Sequence, residues 1–347
     1  MLALLGRYLL LAFAVVLLNF LLPRFLPGNP LDVGMEDGTD SAQLALTPDA
    51  RARMMAVYRL DQPLPQQFVS YLGDLARFDF GRSIVRGTSV SELIGQRIPW
   101  TLGLMGVTVL LSSGLGLLFG VIAGWRGGRT DASIVAGATM LAALPELLVA
   151  LGLLVTLAVG GGWFPLHGGQ TPFANTTSVG VSNPFAAHSA SSGTTVGGTT
   201  LVIFLRTATD IVWHLTLPAL ALVISTTSAF LLVTRGAVKA EMGRPYLAVA
   251  RSKGLTERRI IWTHLLPNAA LPLVTLFGLR LGQVLGGAVV VERVFSVPGL
   301  GLFAYEAIRA RDYPILQAVF LVASLFVLIT QFGLEVTYRA LAHRHAG

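Results

Sequence analysis

Residues 246–267 read YLAVARSKGLTERRIIWTHLLP, a basic, helix-forming stretch set between two apolar runs. Around it stand Arg235, Lys239, Arg244, Arg251, Lys253, Arg258 and Arg259, offset only by Glu241 and Glu257. The chain as a whole is poor in charge: of its 347 residues 12% are charged and 53% hydrophobic, with a mean hydropathy of +0.69. Soluble domains carry about a quarter charged residues, so this composition belongs to a membrane protein. Positive loops stay on the cytoplasmic side of a bilayer, which places 235–267 in the cytosol. A long, structured cytosolic loop in a small membrane protein is a docking surface for another protein.

The punctuation of the stretch has its own meaning. A helix, a glycine that permits a tight turn and a second helix make a short elbow. Pro267 is expected to close it by stopping the second helix before the next span. The small residues Ala248, Ala250, Ser252 and Gly254 would let a partner's backbone approach. Arg251, Lys253, Arg258 and Arg259 would meet acidic patches on it. Attraction of an amphipathic loop to anionic lipid would account for the charge but not for the Gly–Pro spacing.

Working outward, about 20 apolar residues cross a bilayer. Spans are expected at 8–26, 101–123, 132–160, 213–233, 269–291 and 315–336. The first resembles a signal-peptide core, but no small-residue cleavage site follows in LPRFLPGNP, so it is read as retained. Six spans put both termini on one side. With the short loops taken as cytosolic, those segments carry +9 and the external ones −2, which leaves the total of +7. The expected fold is therefore an all-α membrane protein of six transmembrane helices, N-in and C-in. Its parts are a first helix (1–27), an external segment with short surface helices (28–100) and a five-helix core (101–347). The core holds an external insertion (161–211) and the cytosolic loop (235–267). In the external segment, Thr47 and Pro48 open one expected helix, with Met54, Met55, Val57, Tyr58 and Leu60 as its apolar stripe. A second is expected at 66–76. Residues 161–200, rich in Gly, Ser, Thr and Asn, read as irregular.

The chemistry of several protein classes is missing. With no cysteine there is no disulfide, thiol catalysis or cysteine metal site. The pI near 10.2 does not indicate nucleic acid, because the basic residues flank apolar spans instead of forming a polar patch. The two lysines, Lys239 and Lys253, do not follow the phosphate-cradling G-x-x-x-x-G-K-[ST] pattern. Gly299 and Gly301 lack a preceding strand and a third glycine. His167, His188, His214, His264, His343 and His345 form no H-E-x-x-H pair. Ser112, Ser113 and His214 supply the residue types of an intramembrane serine protease, but such residues occur by chance in most membrane proteins. A secondary transporter would need a coupling-ion site and an internal repeat, and neither is visible.

Polar groups inside spans are costly and often mark pathways. Glu146 follows Pro145 in the third span; Arg280 and Gln283 lie one turn apart in the fifth; Glu292 stands at its external end. These four are candidates for lining an aqueous path, the alternative being that Glu146 and Arg280 pair structurally. Gly116, Gly120 and Gly124, and Gly282 with Gly286, have the spacing that allows close helix packing, with a partner subunit as one candidate neighbour.

The stretch 246–267 resembles the cytosolic signature of binding-protein-dependent ABC importer permeases: EAA, three residues, Gly, then a closing I-x-L-P. Here Ala248, Val249 and Ala250 take the EAA place, followed by Gly254 and by Leu265, Leu266 and Pro267. The leading Glu is replaced by Ala248. Five further runs, in order, resemble the B-type permease subunit of dipeptide/oligopeptide (and nickel) importers. They are LPGNP (26–30), LDQPLPQQF (60–68), FGRS (80–83), SELIGQRIPWTL (91–102) and VERVFSVPGLGLFAYEAIRARDYPILQ (291–317). Only 168–209 looks inserted. The resemblance implies a bacterial plasma-membrane permease forming half of a peptide pathway. It would work with a homologous second permease, two ATPase subunits that use ATP and magnesium, and an external solute-binding protein, in contact with membrane lipid. The coupling residues it implies are Ala248, Ala250, Arg251, Lys253, Gly254, Leu255 and Pro267. Segments 28–100 and 292–313 would receive the binding protein. A nickel, metal-chelate or glutathione cargo is the alternative within the same class. Neither a resident metal nor a catalytic residue is expected in this chain.

Overall fold

The computed structural model describes residues 2–25, 62–166, 168–169, 197–284 and 288–345. The expected helix at Thr47–Pro48, most of the insertion, His167, His188 and Gly286 lie outside the described residues. Among the described residues the structure is helical, its one extended pairing a single antiparallel bridge between Arg82 and Ser89. The helices run α1 (Leu2–Phe25), α2 (Leu64–Ala76), α3 (Val90–Arg126), α4 (Gly128–Ala143), α5 (Glu146–Gly160) and α6 (Gly197–Met242). They continue with α7 (Pro245–Ser252), α8 (Glu257–Gly282), α9 (Val289–Val294), α10 (Leu300–Arg309) and α11 (Tyr313–His345).

Five helices are long and apolar enough to cross a membrane, and a sixth crossing exists if α4 and α5 count as one span. This corrects the third expected span. Residues 132–160 are two helices meeting at 93°. Leu144, which precedes Pro145, is extended (φ −80°, ψ 124°), the conformation a proline ring favours in its neighbour. The fifth span also lies earlier than expected: α8 runs from Glu257 to Gly282, and 289–291 belong to the separate short helix α9. α3 and α6 begin well before their expected spans, α6 at Gly197 inside the stretch read as irregular.

The chain divides into two compact units. One comprises Met1–Ile98 and Phe303–Leu328. In it α2, which matches the expected external helix, packs on α1: the Phe68 ring meets Phe20 edge-on at 5.1 Å. Asn19, a buried polar residue within the first span, donates to the Gln317 carbonyl at 2.8 Å. The loop before α3 is tied down by Asp312, whose buried carboxylate accepts the Ser83 hydroxyl and the backbone N–H of Val85 at 3.3 Å. The Arg86 guanidinium pairs with Glu306 at 2.9 Å.

The second unit comprises Pro99–Leu302 and Ile329–Gly347. Its central seam is α3 against α6, where Gly116, Gly120 and Gly124 meet Phe230, Thr234 and Val238. The close helix packing expected of these glycines is present, and it lies within the chain. Such contact suits a membrane interior, where lipid gives helices no hydrophobic reason to associate and van der Waals contact must hold them. Buried Ser112 adds a hydroxyl contact with Thr226 at 2.6 Å across the same seam.

Candidate functional site

The elbow forms as the sequence predicts, with one exception. Pro245 sits in the first turn of α7, where its missing N–H costs nothing. The helix ends at Ser252 and is capped through Gly254, which adopts φ +73°, a conformation that an L side chain rarely takes. Gly254 N–H donates to the Arg251 carbonyl at 2.9 Å and Leu255 N–H to the Ala250 carbonyl at 3.3 Å. These bonds close the last turn in the manner of a Schellman cap, and Leu255 supplies the apolar contact that accompanies it. The exception is Pro267. α8 runs through it without a break from Glu257 to Gly282. The preceding residues Ile260–Leu265 are π-helical. That wider turn accommodates a proline ring that would otherwise meet the carbonyl four residues back. The second arm of the elbow is therefore the start of a membrane helix.

One face of the elbow is a small core. Val238 from α6, Leu247 and Ala250 from α7, and Ile260, Leu265 and Leu266 from α8 pack together, with Leu117, Val121 and Trp125 of α3 beside them. Leu247 is 1% and Ala250 5% exposed. Ala250 is thus not available to a partner as expected, because its methyl fills the elbow. Ala248, Val249, Ser252 and Lys253 are exposed on the other face. Arg251 is engaged within the chain, stacked over Trp125 at 5.2 Å and paired with Glu257 at 3.5 Å. The Tyr246 hydroxyl donates to Glu241 at 2.8 Å. Burial, and then that carboxylate, raise its pKa above the ordinary value, so it stays a donor at neutral pH.

Two of the basic residues counted with the loop belong elsewhere. Arg235 and Lys239 lie in the last turns of α6 and both reach Asp131 at the start of α4, the Arg235 fork holding both carboxylate oxygens. Asp131 is buried. A bidentate guanidinium plus an ammonium is a strong, directional tie, so the α4 end is fixed to the helix leading into the elbow. In the sequence Asp131 was one charge in a turn. Its partners lie about a hundred residues away, and no spacing reveals that.

The four pathway candidates have different surroundings. Glu292 is enclosed by protein, 0% exposed, and lines no path. Its carboxylate accepts the Thr101 hydroxyl at 2.8 Å and the Leu302 N–H at 2.9 Å, while Thr101 accepts the Leu300 N–H at 2.8 Å. It therefore fixes the 289–302 turn to α3. Removing it in Glu292→Ala leaves buried donors unanswered and a cavity, a cost of about 3–5 kcal/mol. A large fall in thermal stability is expected, with Glu292→Gln milder because it keeps one carbonyl oxygen. Glu146 opens α5, half-buried, with Oε1 unpartnered among the described residues. Arg280 donates to Gln283, at 3.3 Å, and the alternative Glu146–Arg280 pair is not among the contacts of the described residues. Ser112 and His214 are likewise occupied separately, His214 by the Asp210 carbonyl at 2.9 Å.

Comparison with known proteins agrees with this geometry. The chain is 31% identical to the oligopeptide transport system permease protein AppB of Bacillus subtilis, over 93% of its own length and 92% of the relative's. It is 31% identical to the di/tripeptide transport system permease protein DppB of Pseudomonas aeruginosa, over 94% and 92%. Its fold is similar to that of a chain of the MetNI methionine ABC transporter, solved in inward-facing conformations. That match has a TM-score of 0.52 and 17% identity, and covers 72% of this chain and 96% of the other. Residues 116–346, from the first glycine of the α3–α6 seam through the elbow to the end of α11, match the binding-protein-dependent transport system inner membrane component. The chain belongs to that family and is the membrane permease subunit of a binding-protein-dependent importer.

Proposed function

We propose that this chain forms half of the pathway of an ATP-driven peptide importer and passes the work of ATP hydrolysis to that pathway through α7. The observation that carries the reading is the elbow: a short helix with one exposed face, cemented by its other face to α6 and α8. Force applied to α7 moves helices, since no slack loop intervenes. Peptide cargo is supported by the relatives in B. subtilis and P. aeruginosa, permeases of oligopeptide and di/tripeptide transport systems. The partners are a homologous permease, two ATPase subunits that bind ATP and magnesium, and an external binding protein that selects the cargo. The chain hydrolyses nothing itself, having no phosphate-cradling motif. The elbow lies in the cytosol with both termini, and closure of the ATPases rocks the helices from outward to inward access. Glu146, Arg280 and Gln283 face the path.

The test is recovery of the solubilised complex from its native membrane, with mass spectrometry and an ATPase assay. A second permease, two ATPases and a peptide-loaded binding protein are expected. A chain recovered without any ATPase after cross-linking would overturn the coupling role.

A further inference from the structure

Of the basic residues in the elbow, three are left over: Lys253 beside the turn, and the adjacent pair Arg258 and Arg259. Arg251 is stacked and paired, Arg244 lies beside Glu241, and Arg235 and Lys239 hold Asp131. Among the described residues Arg258 and Arg259 have no acidic partner, and both are exposed. They line a shallow open cleft with Thr256 and Trp262. Trp262 is 58% exposed, three and four residues beyond them, so all three side chains share one face of α8. That face is opposite in character to Ile260 and Leu265, which are buried in the elbow core. The same helix continues as the apolar span to Gly282. Trp262 thus stands roughly 5 Å further along the axis than the arginines, toward the apolar part.

We infer that this cleft binds the phosphate headgroup of an anionic phospholipid of the inner leaflet. The inference rests on reading the elbow as cytosolic. Two guanidinium forks offer the donors a phosphate diester accepts. An indole beside them belongs at the depth where headgroup meets acyl chain. Their charge, unanswered within the described chain, complements the negative cytoplasmic leaflet. A soluble phosphate would use the arginines but leave the indole without a role.

The experiment titrates fluorescent phosphatidylglycerol into the full-length chain in neutral detergent, with native mass spectrometry of retained lipid. Each arginine near a membrane surface contributes roughly a factor of five, so Arg258→Gln with Arg259→Gln should weaken binding about twenty-five-fold. Arg251→Gln, at an arginine already engaged, should change it little, and the double lysine variant should keep most of it. Equal loss in Arg251→Gln would mean diffuse loop charge and overturn the proposal, as would no loss in the double glutamine variant. Competition by inorganic phosphate would reassign the cleft to a soluble anion. A photo-cross-linker in place of Trp262 in the assembled transporter should label lipid; labelling only an ATPase subunit would overturn the proposal. ATPase recovery scored on the same samples separates the two readings: its failure removes the coupling role and leaves the lipid result standing.

Discussion

A Gly120→Leu chain will not accumulate as a folded membrane protein. A Cβ added at Gly120 would stand 2.5 Å from the Thr234 Cβ and 2.7 Å from the Leu231 carbonyl oxygen. At Gly124 it would stand 2.7 Å from Val238, and at Gly116 2.9 Å from the Leu231 backbone nitrogen. Most of these neighbours are backbone or the stem of a β-branched side chain, which cannot swing away. The helices must therefore separate, and an inserted group in a packed interior costs about 1–3 kcal/mol before the rest of a leucine is counted. Separation also breaks the Ser112–Thr226 contact and unseats Val238, which is part of the elbow core. The measurement is yield and thermal denaturation in detergent. Gly114→Ala is the control, because nothing lies within 4 Å of its added Cβ on the same helix. It should be neutral or slightly stabilising, since glycine inside a helix costs about 0.5–1 kcal/mol relative to alanine. A folded, stable Gly120→Leu chain would show that α3 and α6 are not in contact in the membrane.

The small-residue spacing at 116, 120 and 124 was legible in the sequence; the identity of the helix it faces was not. Periodicity names a face and is silent on what covers it. The same holds for charge. Net charge located the elbow, yet it could not separate Arg235 and Lys239, spent on Asp131, from Arg258 and Arg259, which are left over. Span boundaries failed where the local chemistry had two solutions. Pro145 stands at a 93° break, whereas Pro267 sits inside a helix just after a π-helical run, and Pro99 and Pro218 sit inside α3 and α6. A sequence shows a proline in each place and not the backbone around it. Glu292 misled for a related reason. An acidic residue near a span reads as a pathway group, but Thr101 and the Leu302 N–H, distant in sequence, satisfy it inside the protein.

Leu247→Ala will leave the transporter assembled and largely unable to transport. α7 has eight residues, too few to hold as an isolated helix. Leu247 and Ala250 are what it buries. Truncating Leu247 removes about 2–5 kcal/mol of packing, which is most of what fastens α7 to α6 and α8. Pushed by a partner, a loosened α7 shifts in place and the spans stay where they are. ATP hydrolysis by the complex should then continue near its basal rate while peptide uptake into proteoliposomes falls at least tenfold. Ala248→Arg tests the opposite face. Ala248 is exposed, so the substitution should leave the melting temperature of the purified chain unchanged and remove the ATPase subunits from the recovered complex. The two variants fail in different ways only if α7 is a lever with a glued side and a docking side. If Leu247→Ala transports normally, the elbow core carries no force, and the coupling must run through another part of the chain.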